Sequence, residues 1–396
     1  MAPRNMELSV VNSLDEVVPR QWDQLVGADN PFMRHAFLSL LEQTGCVTAK
    51  TGWAPCHLLL RADSTERRRL LGAVPLYLKS HSYGEYVFDW AWADAYERAQ
   101  LHYYPKLVAA VPFTPVTGPR LLADHSRREE IQQHLASAAL RLAAEMRVSS
   151  LHWLFVSPDQ MSTLVNHGHL QRTGYQFHWH NQGYDSFENF LSNLASAKRK
   201  KLKRERRYVR DAGIVIELMT GDQLRPSDWD TFYRFYLSTI RNHGAIAYLR
   251  REFFEALGAA MADRLVLVLA HDDGQPVAGA LNLRGETTLY GRYWGAHKHV
   301  NGLHFEVCYY TAIEYCIQES LSRFEAGAQG KHKLARGFLP TTTYSAHWLR
   351  HSEFERAVAD FLGREQDGVG YAITELNERS PFKRRDTDSM SEGPRG

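Results

Sequence analysis

Apolar and polar positions follow two periods along this chain, and the periods appear in the same order in each half. Helical patterns opened by proline run from Pro19 to Leu25 and from Pro226 to Asn242, where proline fits the first turn because the N–H it lacks has no helical partner to lose. A second helical pattern follows in each half, Arg34 to Gln43 and Arg250 to Met261. Strand patterns come next. In the first half they are His57 to Arg61, a polar turn over 62–68, then Leu70 to Leu78. In the second half they are Leu265 to Ala270, the turn His271 to Pro276, then Val277 to Arg284. A third, aromatic strand is expected at Glu85 to Trp92 and at Thr288 to Gly295. Long amphipathic helices over Arg127 to Met146 and His304 to Leu321 lead to further strands, Ser149 to Ser157 and Arg323 to Ala328.

The two halves also share residues at one offset. Asp15, Pro19 and Trp22-Asp23 are echoed by Asp222, Pro226 and Trp229-Asp230, and Gly72-Ala73 by Gly279-Ala280, each 207 positions on. The pattern predicts a duplicated α/β (α+β) unit with mixed, mostly antiparallel sheets. The expected divisions are a first domain over 1–184, a connecting helix over 185–212, a second domain over 213–382 and a disordered tail over 383–396. The first half holds about 35 more residues than the second before its final strand, placed as an inserted binding loop over about 93–126.

Composition narrows the class. A chain of 396 residues, 44% hydrophobic and 23% charged, is neither disordered nor a disulfide-stapled miniprotein. Cys46, Cys56, Cys308 and Cys316 form no Cys-x-x-Cys pair and read as buried thiols. No signal-like or membrane-length apolar run is evident, so a cytoplasmic protein is expected. The alternation of His152, His178 and His180 with apolar neighbours is that of strands, and no metal site is expected.

The formal charge of +2 conceals an asymmetry. Nine cations (Lys198, Arg199, Lys200, Lys201, Lys203, Arg204, Arg206, Arg207 and Arg210) share the stretch 198–210 with one acid, Glu205, leaving 38 basic and 44 acidic residues elsewhere. The segment extends a helix that begins near Asp185-Ser-Phe-Glu188 in the manner of a capping box. So dense a cationic face suits phosphates, whether of tRNA, of a nucleotide-bearing donor or of an anionic membrane surface. No aromatic residue interleaves it before Tyr208, which argues against reading of bases.

The element order is that of the GNAT acyltransferase fold, and two such units in tandem resemble the Fem-type transferases. Tyr104-Pro-Lys106, Pro112-Phe-Thr-Pro-Val-Thr-Gly118, Gln176-Phe-His-Trp-His180, Gly291-Arg-Tyr-Trp294, Leu303-His-Phe-Glu306 and Gly327-Ala-Gln-Gly330 look like the bacterial FemAB-like family, associated with peptidoglycan biosynthesis or recognition. The resemblance covers residues from about 7 to about 382. It implies transfer of an acyl or aminoacyl group to an amine acceptor, a small molecule or a lipid-linked cell-wall precursor, with acyl-CoA or aminoacyl-tRNA as co-substrate and no tightly bound cofactor. Two departures stand out. His297 interrupts the GNAT pyrophosphate loop pattern, and Ala335 stands where Fem-type enzymes carry a lysine, flanked by Lys333 and Arg336. A non-catalytic binding protein for a cell-wall precursor or nucleic acid is the alternative that these departures leave open.

Amide-forming transfer needs a base and donors for the developing oxyanion. His304 and Glu306, after Asn301-Gly302 at a helix start, are candidates for the base, with the helix dipole expected to keep the imidazole neutral. Tyr344, in a stretch placed as a loop closing over the pocket, is a candidate general acid. Arg292, Tyr293, Trp294, Tyr310, Gln329, His332, Lys333 and Arg336 are expected to hold the donor or its anionic groups. Asp89, Trp90, Asp94, Tyr104, Lys106, Thr114 and Thr117 are expected to recognise the acceptor.

Overall fold

The computed structural model describes residues 6–62, 69–328 and 330–383. The first half contributes β1 (Met6–Val11), β2 (Trp53–Pro55), β3 (His57–Ala62), β4 (Leu70–Val74), β5 (Leu76–Lys79), β6 (Lys106–Ala109), β7 (Leu122–Ala123), β8 (Ser150–Val156) and β9 (Leu170–His180). The second contributes β10 (Val215–Thr220), β11 (Leu265–Asp272), β12 (Gln275–Arg284), β13 (Thr288–Ala296), β14 (Arg323–Glu325) and β15 (Leu339–Leu349).

Both halves build the same sequence of pairings. β10, β11, β12 and β13 are antiparallel neighbours and β14 lies parallel to β13. In the first half β1, β3 and β4 are antiparallel, β5 and β6 likewise, and β8 lies parallel to β6. Each parallel step needs a crossover, supplied by the helices Arg128–Glu145 and 303–318. The last strands are exchanged between halves. β9 pairs with β14, β15 pairs with β8, and β9 and β15 pair with each other, all antiparallel. The result is one sheet of eleven strands running through both halves, with a separate four-stranded sheet of β1, β3, β4 and β7.

The helices join the halves as well. Phe37 of His35–Gln43 meets Phe253 of Arg251–Met261 edge-on at 5.6 Å, and Phe32 meets Tyr290 at 5.3 Å. All four rings are buried in one core that takes residues from both halves, so truncating one, for example Phe37→Ala, would cost about 3–5 kcal/mol.

Three expectations are corrected. The run Leu70–Leu78 is two strands, because Pro75 offers no N–H and ends pairing in one sheet before β5 enters the other. Glu85–Trp92 is not a strand: Glu85 and Asp89 turn inward to Lys106, and the helix Trp90–Arg98 begins at its end. The third strand of the first half is therefore β6, inside the stretch placed as an inserted loop. Finally, the helix expected from Asp185 onward breaks into Phe187–Ser192 and Ser196–Asp211. The Ser186 hydroxyl caps the first piece by accepting from the Asn189 N–H at 3.1 Å. The expected tail, from residue 384 on, and most of the 62–68 turn lie outside the described residues.

Candidate active site

β13 and β14 remain paired only from Thr288 opposite Arg323 to Tyr290 opposite Glu325. A bulge at Arg292, where Gly291 and Tyr293 oppose the consecutive residues Asn282 and Leu281, marks where β13 departs. The strands splay beyond it and leave a cleft of about 200 Å³, lined by Asn282, Tyr293, Trp294, His304, Cys308 and Ala326 among others. It shares Thr239, Trp294 and His304 with a larger hollow of about 500 Å³ that reaches His297 and Gly302.

The helix 303–318 starts at this opening. Gly302 has φ 86°, and a β-carbon there would stand 2.7 Å from the Glu205 carbonyl oxygen. Glycine thus lets the basic helix pack against the turn. His304, two residues on, is edge-on to Trp294 at 4.8 Å and to Tyr309 at 5.3 Å. The next turn, Glu306–Tyr310, is π-helical, a distortion that recurs at functional sites, and its Cys308 and Tyr309 line the cleft. Burial, reinforced by His332, Arg336 and Lys333, brings the His304 imidazole down to about 4. Its neutrality thus comes chiefly from burial, where the helix dipole had been expected to supply it. A group this weakly basic accepts protons poorly at pH 7, but its N–H can donate to a carbonyl.

Lys333 is buried, and its ammonium donates to the Gly327 carbonyl at 2.8 Å. Burial first, and the Arg292 guanidinium second, bring it down to about 7. It is therefore the group beside the cleft whose proton affinity matches neutral pH. Arg292 is itself enclosed. Its Nη1 donates to the Gly291 and Glu325 carbonyls at 3.0 and 3.1 Å and its guanidinium lies over the Phe32 ring at 5.1 Å, while its buried Nε has no hydrogen-bond partner. The His332 imidazole is 2.9 Å from the Tyr309 hydroxyl. Gln329 lies outside the described residues.

Neither Glu306 nor Tyr310 lines the cleft. Glu306 accepts from Arg206 of the basic helix at 2.8 and 3.1 Å and faces a groove on the far side of its own helix from His304. Tyr310 is buried, donating to Glu205 and accepting from Arg336 at 3.1 Å. Arg336 also donates to the His332 carbonyl at 2.7 Å and stacks on Phe305 at 3.3 Å, which fully occupies it.

On the basic helix Ser196–Asp211, Leu202, Glu205 and Val209 face inward. Lys203 pairs with Glu188 and Arg206 with Glu306 and Glu314. Lys200, Arg204 and Arg207 fall at i, i+4 and i+7 on one exposed stripe, with Lys201 and Lys203 beside it along a shallow groove. Lys198 and Arg199 are half-buried at its start. The stripe sits on a helix packed directly against the turn that opens the cleft.

The equivalent splay of the first half is filled. β6 and β8 pair through Ala109 opposite Trp153, and beyond them Gly118 bridges to Val156 in parallel. The intervening chain buries Val111, Phe113 and Val116, and Arg120 donates to the Leu154 and Val116 carbonyls at 2.9 and 2.6 Å. Thr114 is buried in this plug and Thr117 half-buried. Lys106 is enclosed too: its ammonium donates to Ser82 and Glu85 at 2.8 Å each and to Asp89. Although burial opposes it, Lys106 brings Asp89 down to about 2, whereas burial pushes Glu85 up to about 7. Tyr104 reaches Ser82 at 2.8 Å. Asp89, Tyr104 and Lys106 thus anchor the 80–90 segment through contacts with one another and with Ser82 and Glu85. Trp90 and Asp94 lie exposed on the helix after it. Tyr344 is a half-buried residue of β15, not of a closing loop, and lines a pocket between β9 and β15. Among the described residues no group of three or more His, Cys, Asp or Glu is placed to hold a metal.

Sequence reasoning passed over Glu205, Asn282, Thr239 and Cys308. Only Glu205 carried a signal, as the single acid among nine cations, three residues after Leu202 and four before Val209.

The sequence profile of the FemAB-like family, described as peptidoglycan biosynthesis/recognition, matches residues 13–384. No protein of curated function matches the sequence. Among solved structures, FemX superposes with a TM-score of 0.54 at 11% identity, covering 89% of this chain and 100% of FemX. The C-terminal domain of a putative lysylphosphatidylglycerol synthetase from Agrobacterium fabrum gives 0.52 at 11% identity, covering 88% and 96%. These likenesses are of fold: a tandem, mostly antiparallel GNAT-like architecture.

Proposed function

The chain belongs to the FemAB-like family of GNAT-fold acyltransferases, and from that premise we propose that it makes amides at a single reaction centre, the open splay of the second half. The observation that carries this reading is the contrast between halves: Gly118 closes the first splay onto Val156, while beyond Tyr290 and Glu325 the second stays open around His304.

The acyl or aminoacyl carbonyl of a phosphate-bearing carrier occupies the cleft beside Trp294, with the carrier's phosphates along the stripe of Lys200, Arg204 and Arg207. Acyl-CoA and aminoacyl-tRNA share this chemistry. The neutral His304 N–H donates to the carbonyl oxygen as negative charge grows there. The acceptor nitrogen attacks the carbonyl carbon, and the C–N bond forms as its proton passes to the neutral Lys333 amine. The bond to the carrier then breaks, and the departing sulfur or oxygen takes that proton back.

A thermal-shift screen with acetyl-CoA, longer acyl-CoAs and charged tRNA tests the reading, followed by mass detection of product with a panel of amines. Stabilisation by one donor class with turnover supports it. Stabilisation without turnover of any amine would favour the non-catalytic binding role, and no stabilisation at all would contradict both.

A further inference from the structure

We propose that the acceptor is an amino sugar, seated by its ring in a pocket at the join of the two halves; the inference rests on the acyltransfer reading above. The pocket, about 250 Å³, opens where β9 and β15 run side by side under residues 86–88 and the helix Ser352–Glu378. Ala328 forms part of its wall, and Ala326 lines the donor cleft. Two residues span at most ~7 Å of chain, so the two hollows have neighbouring walls. The carbonyl that Lys333 holds, that of Gly327, lies between them.

Size sets the first limit. Pockets for drug-sized ligands run to ~300–1,000 Å³, so this one takes a single ring and not a nucleotide sugar. Charge sets the second. The charged groups of the lining, Arg172 and Glu365, neutralise each other through two hydrogen bonds of 2.8 and 2.7 Å, and the remaining Arg172 nitrogen donates to the Phe88 carbonyl at 2.7 Å. No free charge is left for a phosphate or carboxylate. What remains is aromatic surface from Tyr86, Phe88, Phe155 and Tyr175, together with neutral hydroxyls. Among these the Thr173 Oγ1 is buried without a partner. Flat aromatic faces beside uncharged donors and acceptors are the complement of a pyranose, whose C–H faces are apolar and whose rim is hydroxylated.

Strain marks the same place. Tyr86 at φ 60° and Phe155 at φ 54° are bulky residues held in the left-handed region, a cost that persists only where the surrounding structure imposes it. The amine chemistry agrees. Glu205, Glu306 and Glu325 are all engaged by arginines, so none of these three carboxylates is free to serve as base. An amine flanked by ring oxygen and hydroxyl groups is less basic than an alkyl amine and needs less help to lose its proton, and the product is an N-acyl amino sugar.

Saturation-transfer NMR with D-glucosamine, a glucosamine trimer and UDP-N-acetylglucosamine as probes tests this on the full chain and on Phe88→Ala. Phe88 is 56% exposed and holds Arg172 through its backbone, so the variant keeps its fold and its donor-induced thermal shift. The expected result is ring-proton transfer from glucosamine or the trimer, roughly tenfold weaker in Phe88→Ala. Binding of the monosaccharide assigns a free amino sugar, and binding of the trimer alone assigns a glycan end. Binding of neither, equal binding by the variant, or preference for the UDP-sugar overturns the proposal. In each of those cases an intact donor shift leaves the acyltransfer reading standing. Loss of donor stabilisation with sugar binding intact would instead remove the acyltransfer reading, and with it the sugar's role as acceptor.

Discussion

Arg336 donates from one guanidinium nitrogen to both carboxylate oxygens of Glu205, at 2.8 and 2.9 Å. Glu205 belongs to the basic helix and Arg336 to the turn after β14, so this buried pair ties the cationic helix to the turn that carries Lys333. Removing the carboxylate leaves the guanidinium buried and uncompensated. Glu205→Ala should therefore lose about 3–5 kcal/mol in urea unfolding, with much of it restored by adding Arg336→Met. A Glu205→Ala protein as stable as the parent would show that the pair is not formed.

The exposed stripe is predicted to act on the ligand and not on the fold. Lys200→Ala, Arg204→Ala and Arg207→Ala together should leave unfolding within about 0.5 kcal/mol per site. Donor affinity should fall, and so should its salt dependence, because fewer counterions are released. An unchanged slope of log affinity against log salt would remove the stripe from the donor site.

Lys333 carries a pH signature. In the proposed mechanism its amine form, dominant above about 7, takes the proton, so transfer should speed up as pH rises through that value and then level off. Lys333→Met should be slow and flat. Stability moves the same way. The folded value lies below the ordinary 10.5, so between about 7 and 10.5 the unfolded chain binds more protons and folding is favoured as pH rises. Denaturation at the two ends of that window should show the gain in the parent and its loss in Lys333→Met.

His304 is predicted to act in the transition state more than in binding. His304→Ala should lower kcat by about 10²-fold with a smaller change in KM, and His304→Gln, which keeps an N–H donor, should retain more activity. Equal loss in both variants would point to packing against Trp294 as the residue's only role.

Local chemistry explains which parts of this molecule were legible in its sequence. The helices Pro226–Asn242 and Arg251–Met261 fall within a residue of expectation because proline and apolar spacing fix them without reference to the rest of the chain. The duplication was readable for the same reason. The exchange of β9 and β15 was not, since a strand pattern says which face is buried and nothing about which neighbour it joins. Glu85 to Trp92 alternates like a strand, yet its inward carboxylates are held by Lys106, about twenty residues on. Within the site, His304 and Lys333 were named from residue type and position, but as base and anion donor respectively, the reverse of their proposed roles, because the burial that lowers the proton affinity of both is not visible in sequence. Glu306 misled because an acid in a first turn looks the same whether it faces a cleft or Arg206. The pocket between β9 and β15 was not legible as a unit, because its lining comes from six separate stretches of chain, of which only Tyr344 was named as a site group.

In the proposed mechanism one splay, that of the second half, receives the donor. Hydrogen–deuterium exchange of the full chain with and without a stabilising acyl-CoA or charged tRNA tests it most directly. Slowed exchange is expected over residues 291–305, with 107–118 unchanged. Protection of 107–118 in place of 291–305 would contradict it.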